Sequence, residues 1–410
     1  MTAAFLFLLS LLSVLSTSLS QPPRDVRIDC GATEISTIND IEWLPDTGYV
    51  SSGTPKNVTT QVLNRTLATA RTFPLKNNLF KKFCYEIPVD RTRKYMVRTT
   101  YFYGGIGGYI HTRPPVFDQI VDGTTWSMVN TTEYYMNGDS TYYEGIFKPT
   151  GKNLSVCLAA NTHTDSDPFI SALEVLILWD QMYNSTDFNT YALSLVARHG
   201  FGLGGMGIRY PDDLFDRYWA PFGESNSPAL SSENVSVSGI WNLPPVRVFQ
   251  TRLTKDQPEP LVLIWPPASL PNCSYYIALY FADDLVSVSS RMLDITINGI
   301  TYYNNLSVTP AGVVVFGNFI EKDFLTRQHL EDNGLHGQIP PSLGNLKNLR
   351  ELHLLSHSKN AHVTIYSHMH YVYIFGNGHR CGNRILVPSL AMGSDMNSFP
   401  CLRREIVFTQ

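Results

Sequence analysis

The chain has 410 residues, a formal net charge of −4 and 43% hydrophobic residues, enough for two or three domains with proper cores. Nothing in that charge provides the basic surface a phosphate backbone requires, which argues against nucleic acid as a partner. Its 22 Tyr, 21 Phe, 28 Gly and 25 Pro suit short strands with many turns better than helical bundles.

Residues 1–20 read as a secretory signal. Ala3 to Leu15 is an apolar run, and Ser18-Leu19-Ser20 supplies small residues ahead of a cut before Gln21. No Lys or Arg precedes the run, and an N-terminal anchor is the alternative. No later window reaches the roughly 18 to 20 apolar residues of a spanning helix, so the mature chain is expected to be soluble, with no membrane-spanning segment. Secretion agrees with the N-x-[ST] glycosylation sequons at Asn57, Asn64, Asn130, Asn153, Asn184, Asn234, Asn272 and Asn305. Six cysteines would then meet an oxidising compartment. Cys84 and Cys157 lie in strand-like runs, where they either bridge or stay as buried free thiols.

From Val26 the text is short strands punctuated by Gly, Pro and Asn. Tyr95 to Tyr103 predicts a strong strand stopped by Gly104-Gly105. Val116 to Val121 predicts another, closed by the hairpin-type turn Asp122-Gly123. Strands follow at Leu154 to Ala159 and Ile170 to Trp179, the last apolar enough for burial on both faces. Gly202 to Trp219 holds a glycine cluster and a Pro-Asp-Asp turn signal. There Pro211 ends an incoming strand, and Asp212 or Asp213 caps a short helical turn that directs Leu214, Phe215, Tyr218 and Trp219 to one face. Asp213 and Arg217 form an i, i+4 pair on it. Arg209, Tyr210, Asp212, Asp213, Arg217, Tyr218 and Trp219 are accordingly expected at a junction between two lobes.

The second half repeats this grammar. Tyr101-Phe-Tyr-Gly-Gly105 is echoed by Tyr280-Phe-Ala-Asp-Asp284, and Phe117 to Gly123 by Leu293 to Gly299, at nearly one offset. This predicts two copies of one β-domain. The second copy lacks closing strands unless Val313 to Ile320 supplies them, and exposed strand edges would make it fold marginally or aggregate. Asn333 to Leu354 matches about one unit of a leucine-rich repeat, which buries its leucine row only against stacked neighbours. Residues 356–410 show no clear periodicity and are expected to be a poorly ordered, solvated tail in spite of five histidines up to His379.

No chemistry-bearing motif stands out. His199 to Gly207 is rich in glycine, but no G-K-[ST] follows, so a turn is the better reading than a phosphate loop. His163, Asp165 and Asp167 read as a polar loop before a strand rather than a calcium site, because no bidentate Glu is suitably spaced. Neither G-x-S-x-G, H-E-x-x-H nor a kinase signature occurs. No enzyme, metal or cofactor is expected.

Several separated motifs together carry a family resemblance. In order they are Asp29-Cys30-Gly31, Trp43, Tyr49, Arg71-Thr-Phe-Pro74, Cys84-Tyr85, Tyr95 to Tyr103, Phe117-Asp118 and Trp126. Val156-Cys-Leu158, Pro168 to Glu174, Ile208 to Asp213 and Arg217-Tyr-Trp219 complete the set. Over roughly residues 26–320 the chain resembles the plant malectin-like ectodomain. With the leucine-rich unit it is similar to receptor-like proteins of the receptor-like protein 4 type. The resemblance implies an all-β fold with two tandem malectin-like β-sandwiches, a cell-surface or cell-wall position, and binding of wall carbohydrate or a secreted peptide. Fuller members carry more repeats and a spanning helix, so a shortened chain is expected.

The expected organisation is therefore a signal at 1–20, lobe 1 at 21–190, an incomplete lobe 2 at 191–325, a partial leucine-rich repeat at 326–355 and a divergent tail at 356–410. The expected function is non-enzymatic binding of cell-wall glycan outside the cell. Tyr101, Phe102, Tyr103, Tyr109, Tyr134, Tyr135, Tyr142 and Tyr143 are the candidates to stack on sugar rings. The alternatives are a peptide-binding signalling ectodomain with a receptor co-partner, and a truncated isoform with no function of its own.

Overall fold

A computed structural model describes residues 24–60, 65–75, 82–106, 114–205, 207–223, 237, 239–251, 253, 275–282, 291–297, 300–308, 313–320, 352–356, 371–376, 383–386 and 401–409. They form an all-β protein. Its strands begin with β1 (Val26–Asp29), β2 (Ser36–Ile38), β3 (Ile41–Pro45), β4 (Thr54–Asn57), β5 (Thr69–Thr72), β6 (Lys82–Pro88) and β7 (Lys94–Tyr101). Next come β8 (Val116–Val121), β9 (Thr124–Asn130), β10 (Thr141–Phe147), β11 (Asn153–Ala159), β12 (Phe169–Ile170), β13 (Ala172–Leu178) and β14 (Tyr191–Phe201). The series ends with β15 (Ala220–Phe222), β16 (Tyr275–Ala282), β17 (Arg291–Ile297), β18 (Ile300–Val308), β19 (Val313–Ile320), β20 (Leu352–Ser356), β21 (Tyr371–Gly376), β22 (Asn383–Leu386) and β23 (Cys401–Thr409). One short helix, α1, covers Thr132–Asn137.

The chain divides into two compact units. The first comprises residues 1–123, 127–142 and 149–177, and the second 124–126, 143–148 and 178–410.

In the first unit, one sheet runs β7-β13-β1-β3-β2 and a second runs β6-β11-β8-β9, with β12-β5-β4 as a third. Strands β7 and β13 are buried along almost their whole length, as expected for strands covered on both faces. Their neighbouring polar side chains pair internally. Arg98 donates to Glu174 at 2.9 Å, with both side chains 2% exposed.

The facing sheets meet through aromatic and polar contacts. The rings of Tyr101 on β7 and Phe117 on β8 lie 5.5 Å apart, edge to face. Thr99 and the Tyr101 hydroxyl both donate to Gln119 Oε1, at 2.9 and 3.1 Å, while Gln119 Nε2 donates to Ser127 at 2.7 Å. A buried amide is tolerated because each of its polar atoms finds a partner. The turn after β8 has Asp122 at φ 47° and Gly123 at φ 79°, the left-handed pair of a two-residue hairpin. Cys84 and Cys157 are bonded across the β6–β11 pair, where they stand directly opposite one another.

Asp46 organises the start of this unit. It accepts hydrogen bonds from Gly31 N at 2.9 Å and the Tyr85 hydroxyl at 3.2 Å, and it holds both Arg71 Nε and Nη2 at 2.5 Å. Gly31 is at φ 85°, and a Cβ there would sit 2.5 Å from the Ala70 carbonyl oxygen, so no other residue fits this turn. Cys30, beside it, is buried and outside any disulfide.

In the second unit the main sheet runs β19-β16-β23-β14-β10, and β15 pairs with β14. Strand β19 is antiparallel to β16 from Tyr275 opposite Ile320 to Ala282 opposite Val313. Thus Val313–Ile320 does join the sheet, but at its edge. A further strand, β23, comes from the stretch expected to be a poorly ordered tail, and it lies between β14 and β16. Strands β17 and β18 form a separate hairpin, and β20, β21 and β22 form a small sheet of their own. Most of the leucine-rich unit, residues 333–351, lies outside the described residues.

Candidate functional site

Two exposed regions carry the residues singled out from the sequence, one in each unit. In the first unit, β7 delivers Tyr101, Phe102 and Tyr103 into the core, where they are 1%, 7% and 6% exposed. They cannot offer ring faces to a sugar, and this corrects the expectation for these three. Gly104 (φ 43°) turns the chain immediately afterwards, and the Phe102 N–H donates to the Ser171 hydroxyl at 3.0 Å.

Tyr103 nevertheless underlies an exposed group. Its ring meets Tyr135 of α1 edge to face at 5.1 Å and tilts against Phe169 at 5.5 Å. Burial raises the Tyr103 hydroxyl pKa above its ordinary value, and Tyr135, Asp165 and Asp167 push it in the same direction. The two carboxylates therefore lie within electrostatic reach of that phenol. The loop that carries them is tied down by Asn161, whose side-chain amide donates to Asp118 at 2.8 Å, and by Asp167, which accepts from Leu75 N at 3.1 Å. Tyr134, Tyr135 and Tyr142 are exposed, and Tyr143, in the second unit, is half-buried. Tyr109 lies outside the described residues.

In the second unit, the segment around Gly202 to Trp219 forms a polar lock. Ile208 and Trp219 exchange backbone hydrogen bonds at 3.0 and 2.9 Å, closing a loop that contains the cis Tyr210-Pro211 peptide. Inside it, Asp213 accepts from Arg217 Nε at 2.9 Å, Trp219 Nε1 at 2.7 Å and Phe215 N at 2.9 Å. The Arg217 guanidinium lies over the Trp219 ring at 5.5 Å and donates to the carbonyls of Asn242 and Leu243, both at 2.6 Å. Arg198 pairs with Glu144 at 2.6 Å, and its guanidinium also lies over the Trp219 ring, at 5.7 Å. Arg209 grips Asp216 with two hydrogen bonds, at 3.0 and 2.9 Å.

The helical turn expected here does not form. Asp216 at φ 53° is left-handed, which a continuing helix excludes, and the Asp213 side chain caps Phe215 N as a local turn. Leu214 consequently leaves the apolar face assigned to it and is 73% exposed. Asp213, Arg217 and Trp219 are buried, Tyr218 is half-buried, and Tyr210 and Asp212 are exposed. All seven residues expected at a lobe junction belong to the second unit.

The lock fastens three loops to one another. Trp179 stacks edge to face on Phe215 at 5.2 Å, Asn242 accepts from Tyr183 N at 2.7 Å, and Arg247 pairs with Asp212. These loops present Trp179 (49% exposed), Tyr210, Leu214, Trp241 (56%) and Val246 to solvent. Sequence reasoning missed Trp179, Trp241 and Val246. Nothing in their local pattern separates them from core residues.

Five sequon asparagines, Asn57, Asn130, Asn153, Asn184 and Asn305, are exposed, while Asn64, Asn234 and Asn272 lie outside the described residues. Among the described residues, no three His, Cys, Asp or Glu side chains group as a metal site, and no helix is long and apolar enough to cross a membrane.

The comparisons with known proteins agree with this architecture. The Malectin-like domain family model matches residues 28–324. The Arabidopsis thaliana protein At1g24485 is 29% identical over 365 residues, covering 86% of this chain and 68% of its own length. The probable LRR receptor-like serine/threonine-protein kinase MEE39 of the same plant is 28% identical over 299 residues, which is 70% of this chain but 32% of the kinase. The chain thus spans about a third of such a receptor kinase. Among solved structures, the Arabidopsis ANX2 ectodomain superposes with a TM-score of 0.59 at 18% identity, covering 73% of this chain and 86% of that one. The crystal structure of plant peptide RALF23 in complex with FER and LLG2 matches with a TM-score of 0.58 at 18% identity, covering 74% and 88%. The all-β architecture, the strand-borne motifs and a family model spanning most of the sequence lead to one conclusion: the chain belongs to the malectin-like domain family.

Proposed function

We propose that this chain is a non-enzymatic extracellular ligand-binding ectodomain, and that its ligand is a secreted peptide or partner protein docking on the loops of the second unit. The observation that carries the reading is the display of Trp179, Leu214 and Trp241 on three loops that buried hydrogen bonds hold rigid. Large apolar side chains on a preorganised surface are what a protein interface uses as anchors, because little entropy is lost when the partner arrives. A structural neighbour is a peptide complex with a third protein, which supports the same class of ligand and a co-receptor.

Cell-wall carbohydrate is the second reading. It is favoured by Tyr134, Tyr135 and Tyr142, which remain exposed, and by Asp165 and Asp167 close to the Tyr103–Tyr135 pair. Exposed rings beside carboxylates suit a sugar, whose C–H face stacks while its hydroxyls donate.

The test is to present the glycosylated chain to a panel of secreted plant peptides that includes RALF23, and in parallel to a wall-glycan array. The proposal predicts a peptide hit that weakens at least tenfold in Leu214→Ala and Trp241→Ala, a loss typical of interface anchors. Peptide silence together with glycan binding that Tyr135→Ala abolishes would replace it with the second reading.

A further inference from the structure

We infer that the second unit is built as a β-strand acceptor, with a slot between β14 and β16 that residues 401–409 fill in parallel. Strand β23 pairs with β14 from Tyr191 opposite Cys401 to Gly200 opposite Thr409, with one irregularity between Leu195 and Ala197. On its other side it pairs with β16 from Tyr275 opposite Arg404 to Tyr280 opposite Thr409. The far edge of β16 is occupied by β19, and the far side of β14 by β10 and β15. Strand β23 is therefore central, and both of its edges are used.

The acceptor strands require a neighbour. Every side chain from Tyr275 to Phe281 on β16 is buried, so this strand is built for the interior of a sheet and not for an edge. Were the slot empty, the inner edges of β14 and β16 would each present a row of unpaired N–H and C=O groups, which fold poorly and template aggregation. Backbone pairing is largely indifferent to side chain, so an extended segment in parallel register is the class of ligand the slot takes. Residues 401–409 are that occupant, which makes them a structural part of the second unit.

Hydrogen–deuterium exchange on the unaltered chain tests this directly. Amides of 401–409 and of 275–282 should share strong protection and open together. Exchange of 401–409 at the rate of unstructured chain, with 275–282 still protected, overturns the inference. In the full chain, Val407→Pro removes a ladder N–H from a strand paired on both sides, and protection across 191–201 and 275–282 should fall at least tenfold. A synthetic peptide of residues 401–410 added to that variant should restore it, and the same peptide carrying Val407→Pro, which lacks the ladder N–H, should not. Unchanged protection in Val407→Pro contradicts the inference.

Discussion

Asp213 accepts the indole N–H of Trp219 at 2.7 Å while both side chains are buried, so one carboxylate fixes the ring around which the second unit's loops are arranged. The same carboxylate holds Arg217, which in turn ties down the carbonyls of Asn242 and Leu243. The exposed anchors Leu214 and Trp241 flank these locked positions in sequence. Rigidity inside and apolar display outside are thus two aspects of one local construction.

Removing that carboxylate should therefore be costly. Asp213→Ala leaves the fully buried Arg217 guanidinium without its anion, a loss of about 3 to 5 kcal/mol for a buried pair broken on one side. Urea unfolding followed by tryptophan fluorescence should show a correspondingly lower midpoint. A midpoint unchanged from the parent would mean that the lock contributes little.

The exposed anchors should behave in the opposite manner. Leu214→Ala and Trp241→Ala touch no buried hydrogen bond and should shift stability by no more than about 0.5 kcal/mol, the range of ordinary surface changes. Thermal unfolding checks this, and it separates a binding defect from a folding defect in the same variants.

Acid should favour the folded state through Asp29. Burial raises its pKa from 3.8 to about 6, with the hydroxyl of Thr69 and the charge of Arg65 opposing the rise and Asp46 adding to it. The folded chain thus holds this proton more tightly than the unfolded chain does. The stabilisation is complete below the unfolded pKa and is lost as pH rises through about 6. Asp29→Asn, neutral at every pH, should flatten that slope between pH 4 and 7. Parallel stability–pH curves for the variant and the parent would show that Asp29 does not contribute it.

The Cys84–Cys157 bond closes a long loop, with a sequence separation of 73. Replacing both residues with serine should lower the stability of the first unit by about 2 to 4 kcal/mol, mainly by releasing the unfolded chain. Reducing and non-reducing melts of the parent provide the same comparison without mutation.

Much of the fold was readable because its signals are local. Gly104-Gly105, Asp122-Gly123 and the apolar run through β13 specify a stop, a hairpin and a doubly covered strand within a few residues each. The Asp213–Arg217 pair was likewise visible from helical spacing, although the turn that forms is not a helix. Composition marked Tyr101, Phe102 and Tyr103 as aromatic but could not say which way they face. They lie inside because residues distant in the chain cover them, Phe117 on Tyr101, Ser171 on Phe102 and Phe169 on Tyr103. The Asp46 hub and the placement of β23 join residues far apart in the chain, where no periodicity links the partners. Trp179 and Trp241 were missed for the same reason, since the loops that carry them are joined by contacts between distant residues, Trp179 with Phe215 and Tyr183 with Asn242.

Recognition of a secreted peptide or protein by the second unit's loops can be read directly as an affinity. The most direct measurement is a titration of the glycosylated chain with the best binder from the peptide panel, repeated with Trp241→Ala and with Tyr135→Ala. Affinity should fall at least tenfold in the first variant and be unchanged in the second. Full affinity in Trp241→Ala with loss in Tyr135→Ala would contradict it and move the binding site to the first unit.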